Sequence, residues 1–214
     1  MGVMTESTAT LSRSETTASK IIDAAKTLFV ARNYADVTTD MIASAAGVTK
    51  GGLYHHFPSK ESIYSSMMLD DFESKQRLFS QSVDMKGTAR ERLARLTGDF
   101  LALPAEERQM AGLVRRDINI FTDGDRDRLV RAYQLALPNQ IEAIIKDGIA
   151  DGELAPADPR LLSWWFVSLV EVAVSRYADE TLGNPETRLD RVLALFFEGA
   201  EAKPDPAMSD GGTT

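Results

Sequence analysis

Cysteine is absent from all 214 residues, and with it go disulfides, thiolate nucleophiles and cysteine-based zinc or iron–sulfur sites. Histidine is nearly absent too. The only two, His55 and His56, are adjacent, whereas ligands on one helix need a separation of three or four residues, so no metal and no cofactor is expected. There is no G-x-S-x-G and no phosphate-binding loop, so no catalytic set can be assembled and an enzyme is not expected. No run of about 18 uncharged apolar residues occurs. The richest, 161–174, is interrupted by Glu171 and followed by Arg176 and Asp179, which excludes a membrane span. The first 13 residues are rich in Ser and Thr but lack a basic segment followed by an apolar one, so they do not read as a secretory signal and a cytoplasmic location is expected. A basic excess is also missing. Twenty-four Lys and Arg face 32 Asp and Glu, a net charge of −8, which argues against a chain that coats nucleic acid or anionic membrane along its whole length.

What the sequence does hold is helical periodicity almost everywhere and sustained alternation nowhere, which predicts an all-α fold. The first helix begins in the Ser/Thr stretch before Lys20, carries Ile21, Ala25, Leu28 and Phe29 on one face, and ends near Asn33. Thr38 is placed to cap a short second helix, with Val37 and Ile42 as a hydrophobic staple and Gly47 as its stop. A third runs from Thr49 to about Phe57, ahead of Pro58, and Ser59 then caps a longer one carrying Ile63, Met67 and Met68. Further on, Ala89, Leu93, Leu96, Phe100 and Leu103 form one stripe ended by Pro104. Met110, Leu113, Val114, Ile118 and Phe121 form the next, ended by 122–124. Pro138 predicts a kink or break within 130–149, and Asp158-Pro159 and Asn184-Pro185 each start a helix, the last ending near Ala202. Residues 203–214, with two Pro and two Gly, read as a tail.

Two short helices around Ala46-Gly47-Val48-Thr49 form a candidate helix-turn-helix, with Ile42, Ala45, Ala46 and Val48 turned inward, Ala43 small enough for close approach, and Gly47 in the left-handed conformation. Periodicity alone leaves a purely structural helical hairpin open. Thr49, Lys50, Gly51, Tyr54 and His55 fall at the exposed side of the third helix, and two adjacent glycines inside a helix cost roughly 1 kcal/mol each relative to Ala. Bare backbone there lets the helix tip approach phosphate and base edges, while Lys50 adds a charge and Tyr54 a phenolic donor. Relief of crowding against the first helix is the other reading of Gly52.

The run 38–61, from Thr38-Thr39-Asp40 through Ile42-Ala43, Ala46-Gly47-Val48, Leu53-Tyr54 and His56-Phe57 to Ser59-Lys60-Glu61, resembles the DNA-binding signature of tetracycline-repressor-like (TetR family) transcriptional regulators, and the likeness extends over about 20–64. The resemblance implies a tail at 1–15, a three-helix reader at 16–64, a larger helical effector-binding and dimerisation domain at 65–202, and a tail at 203–214. It implies a homodimeric repressor that binds double-stranded operator DNA and is released by a small apolar or aromatic effector. It places Thr38, Thr39 and Lys60 at phosphates, Tyr54 and His55 at backbone or bases, and Thr49, Lys50 and Gly51 at the start of the recognition helix, with His56 and Phe57 packing. Asn33 stands where the family usually has Gly. Asp40 is an oddity, since a carboxylate beside DNA repels phosphate unless it reads a cytosine amino group or points away.

Residues 1–64 hold six Lys/Arg against six Asp/Glu, so the whole acidic excess belongs to the remainder and the reader is neutral. In that remainder 161–174 and 189–197 are apolar on more than one side, which suits a dimer interface, with a monomeric core as the alternative. Phe100, Met110, Val114, Phe121, Trp165 and Tyr177 are candidates for an effector pocket, though each alone suits a core better. Asp117 lies on an otherwise apolar stripe and needs a partner: an arginine such as Arg160 or Arg176, or a ligand. A DNA-binding adaptor without effector is a second functional class, and a helical enzyme a third.

Overall fold

The computed structural model describes residues 13–199. Among them are α1 (Arg13–Ala31), α2 (Thr39–Ala46), α3 (Lys50–His56), α4 (Lys60–Asp84), α5 (Ala89–Ala102), α6 (Ala105–Asp117), α7 (Asp123–Ala136), α8 (Pro138–Ala150), α9 (Pro159–Ala173), α10 (Arg176–Thr181) and α11 (Pro185–Glu198), with 3-10 turns at Tyr34–Asp36 and Ile118–Ile120 and no strand. The expected tails at 1–15 and 203–214 lie wholly or largely outside the described residues. Among the described residues no helix is long and apolar enough to cross a membrane.

Two compact units emerge: one ends at Arg77 and adds Leu103–Ala136, and the other comprises Leu78–Ala102 and the chain from Leu137 onward. The helix α4 runs without interruption through both the expected boundary at residue 64 and the division at Arg77. In the first unit α1 packs on α2, α3 and α6. Phe29, Tyr34, Tyr64 and Phe121 interlock there, with Phe29 and Tyr34 stacked 5.6 Å apart and Tyr64 edge-on to both.

In the second unit α8 packs on α9, and α5 on α8 and α11. The α5 and α8 backbones meet at Gly148, where an added Cβ would lie 2.6 Å from that of Ala89, so no larger residue fits without separating the two helices. Arg92 is buried there, giving hydrogen bonds to the carbonyls of Ser82 and Val83 and a 2.8 Å ion pair to Asp147.

Pro138 does break the chain: α7 stops at Ala136, and the proline, lacking an N–H to donate, opens α8. Asp158 and Asn184 cap α9 and α11 through their side chains. One expectation is corrected. The helix α6 ends at Asp117 and a 3-10 turn follows, so the stripe to Phe121 is not one continuous helix. The apolar run after Pro159 ends with α9 at Ala173, and Ser175 then caps a separate short helix, its hydroxyl oxygen accepting from the Ala178 N–H.

Candidate nucleic-acid interface

The exposed tip of the first unit is assembled by local punctuation. Thr38, in extended conformation, accepts a hydrogen bond from the Met41 N–H at 3.2 Å, and Val37 and Ile42 are both fully buried across that cap. At Gly47 the backbone turns left-handed, φ 66° and ψ 33°, and its N–H reaches the carbonyls of Ala43 and Ser44. A residue with a Cβ would be strained here. Thr49 then caps α3, accepting from the Gly52 N–H at 3.0 Å, while buried Leu53 anchors the helix from below. Beyond Pro58, Ser59 and Ser62 bond reciprocally and start α4. One packing expectation is corrected: Ala43 is buried and Ala45 exposed, because Ile42, Ala43 and Ala46 define the inner face of this two-turn helix.

Thr38, Thr49, Lys50, Gly51, Tyr54 and His55 are exposed and Thr39 is half-buried. The two helices are joined at that surface by side chains, since the Thr39 and Tyr54 hydroxyl oxygens lie 3.1 Å apart. The Asp40 carboxylate meets the Lys50 ammonium at 2.8 Å, with both side chains about three-fifths exposed. The hydrogen bond to Asp40 holds the Lys50 ammonium above its ordinary pKa. Sequence reasoning missed this pair, whose members are ten residues apart on different helices.

Lys60, expected at a phosphate, has partners within the fold. Its ammonium donates to the carbonyls of Tyr34 and Val37, each at 2.9 Å, and lies 4.1 Å from the centre of the Tyr34 ring. It thus closes the turn that leads from α1 into α2. Lys60→Met is expected to lower the unfolding free energy by about 2 kcal/mol, as for charge-assisted bonds lost from a half-buried group. The salt dependence of DNA binding by the folded variant should match that of the native protein; a shallower dependence would restore Lys60 to the phosphates.

The two glycines of α3 differ. At Gly51 an added Cβ meets nothing within 4 Å, whereas at Gly52 it would press on the Thr49 hydroxyl at 3.2 Å. The second is accounted for by the cap. No internal packing requires the first.

The residues considered for an effector are divided between the two units. Met110, Val114, Asp117 and Phe121 belong to the first unit and are buried in it. Phe100, Trp165 and Tyr177 belong to the second, where Phe100 is buried against Phe79, while Trp165 and Tyr177 are 57% and 62% exposed. The partner expected for Asp117 is also corrected. Tyr64 donates to its carboxylate at 2.7 Å, and the adjacent Arg116 makes a two-pronged pair with it at 2.9 and 2.7 Å while also reaching the Phe29 carbonyl at 3.0 Å. Asp117 is the last residue of α6, at φ −115° and ψ −3°, and there the two side chains converge. Arg160 is occupied elsewhere, by Asn139 and Glu142.

The family model described as bacterial regulatory proteins, tetR family, matches residues 21–67, and that of the tetracyclin repressor-like C-terminal domain matches 86–179. Among curated proteins, the HTH-type transcriptional repressor KstR2 of Rhodococcus jostii is 25% identical over 185 residues, covering 84% of this chain and 89% of the relative. Among solved structures, the transcriptional regulator FadR of Bacillus subtilis in complex with stearoyl-CoA aligns with a TM-score of 0.72 at 22% identity, over 86% of this chain and all but 1% of the other. AibR in complex with isovaleryl coenzyme A and operator DNA aligns at 0.73 and 20% identity, over 85% and 98% of the two chains. At these identities the solved structures speak to the fold.

Proposed function

The chain belongs to the tetR family of bacterial regulatory proteins and is a transcriptional regulator, and from that premise we propose that it is a homodimeric repressor whose hold on operator DNA is released by a small apolar effector. The observation that carries the reading is the tip of α3, where a left-handed turn, a threonine cap and the uncovered backbone of Gly51 leave the outer face of the helix bare while Leu53 anchors its inner face. A helix so presented suits a major groove. Tyr54, His55 and the Thr38, Thr39 and Thr49 hydroxyls offer donors to phosphates and base edges.

A second copy is required because two half-sites about 34 Å apart need two readers. The second unit offers the surface for it. Leu161, Trp165 and Val172 form an exposed stripe on α9, and between α9 and α11 lies an open groove of about 510 Å³ lined mainly by Leu162, Trp165, Leu169, Leu195 and Phe196. Apolar area of this kind on a single chain is stabilised by burial against its twin. FadR and AibR, whose structures hold acyl-coenzyme A molecules, make acyl thioesters the first effectors to test.

Light scattering should give twice the 23.5 kDa chain mass, and a fragment of the protein's own promoter should be retained in low-salt gels. Acyl-coenzyme A thioesters of increasing chain length should raise the melting temperature and free the DNA in parallel, and operator should weaken effector binding by the same factor. A lone subunit, or indifference to the promoter, would refute the repressor. A dimer that holds DNA, but which no thioester both stabilises and releases, would lack this effector class.

A further inference from the structure

The segment 33–60 that forms the tip contains two cations, Lys50 and Lys60, and two anions, Asp36 and Asp40. Lys60 is committed to the carbonyls of Tyr34 and Val37. The cation left for a duplex is therefore Lys50, the first residue of α3, and its ammonium is held at 2.8 Å by Asp40 from the first turn of α2. Any gain from releasing counterions at this tip requires that pair to open.

Resting on the DNA-binding reading above, we infer that Asp40 is a specificity-determining residue: it sequesters Lys50 on non-cognate DNA and yields it only where the duplex offers a better partner. The physical argument is competitive. An ammonium paired with a carboxylate has no net charge for a passing phosphate, and the carboxylate itself repels the backbone, so random sequence gains little from this corner of the reader. The pair is exposed on both sides, the class of ion pair that contributes least and exchanges most readily. A base edge such as the O6 and N7 of guanine, presented at the depth to which the bare Gly51 backbone admits the helix, can take the lysine away. Non-cognate DNA, met at a shallower depth, cannot. The carboxylate thus subtracts from affinity everywhere and returns it at the right site, which widens the ratio between the two.

The test uses the full-length protein with Asp40→Asn, Lys50→Gln and the double substitution, and a 30-base-pair duplex pool of random sequence as the probe. Binding is followed by fluorescence anisotropy at 50 and 200 mM salt, and each protein is also carried through rounds of selection from the pool. Thermal melting verifies that the exposed substitutions leave the fold intact. Asp40→Asn should bind the pool more tightly and, by freeing one lysine per subunit at a slope of about 0.9 per phosphate, lose about tenfold more affinity than the native protein between the two salts. Its selected sequences should be less enriched. In the Lys50→Gln background the same change should do nothing to the salt slope. The inference is overturned if Asp40→Asn leaves pool affinity and slope as they were, or if its effect persists without Lys50, which would make it bulk repulsion. It is equally overturned if selection shows loss of one cytosine position with no change on the pool, since Asp40 would then read a base directly. A native protein that neither binds the pool nor enriches any sequence sinks the DNA-binding reading itself, and this inference with it.

Discussion

Asp117→Ala is expected to reduce the unfolding free energy by about 3 kcal/mol and the melting temperature by roughly 6–12 °C, an effect far outside that of ordinary surface changes. Its carboxylate is 7% exposed and serves two donors. Removing it strands the Tyr64 hydroxyl, which is buried within the aromatic cluster, at a cost of about 1–3 kcal/mol. Arg116 retains 34% exposure and can swing partly into solvent, so its share is smaller than for a fully buried ion. Tyr64→Phe removes a donor without stranding a charge and should cost only about 1 kcal/mol. The same contact predicts an alkaline limb. Burial and the neighbouring carboxylate push the Tyr64 hydroxyl far above its ordinary pKa, and Tyr34 beside it is raised as well. A phenol that keeps its proton when folded and loses it when unfolded contributes stability that is complete below about pH 10 and drains away as pH rises further. Tyr64→Phe should shallow that limb in denaturant titrations, and Tyr34 should retain the rest. An Asp117→Ala protein that melts within a degree or two of the native one would show that α1, α4 and α6 are not tied together through this carboxylate.

Gly51→Ala should move stability and function in opposite directions. The backbone of Gly51 has no positive φ and an added methyl meets nothing within 4 Å, so alanine gains helix propensity at no steric cost and should stabilise the protein by about 0.5–1 kcal/mol. Against a duplex the same methyl holds the helix tip off the groove. Loss of roughly 1.4 kcal/mol of contact there is a tenfold fall in operator affinity, and this is the minimum expected. Gly52→Ala is the contrast, since its methyl presses on the Thr49 hydroxyl and should weaken the cap rather than strengthen the helix. Chemical denaturation and anisotropy on one preparation decide the matter: a stabilised Gly51→Ala that binds as well as the native protein would mean that the bare backbone faces only solvent.

The reader was legible in the sequence because its boundaries are written in residues with one dominant local use. Thr38 and Thr49 cap, Gly47 turns left-handed, Pro58 stops, and each acts within four residues of itself. Pro138, Asp158 and Asn184 were readable for the same reason. What escaped were side chains whose partners are backbone carbonyls or residues brought near by the fold. Lys60 reaches two carbonyls more than twenty residues away, and since every residue carries a carbonyl no sequence pattern marks which will be used. Arg116 escaped because it joins Asp117 only where the helix ends. Apolar character does not mark out an effector site, because core, interface and pocket share it. Trp165, on the open stripe of α9, belongs to the second of these under the reading above.

The contrast between the tip's two lysines also supplies an assay. An amine-acylating reagent should modify Lys50, which is exposed and held only by an open pair with Asp40, ahead of Lys60, whose nitrogen is half-buried and held by a ring face and two carbonyls. Acylation at Lys60 then counts molecules whose amino-terminal turn has come undone, while protection at Lys50 counts molecules seated on a duplex. A single mass spectrum thereby distinguishes a variant that has melted from one that has merely let go.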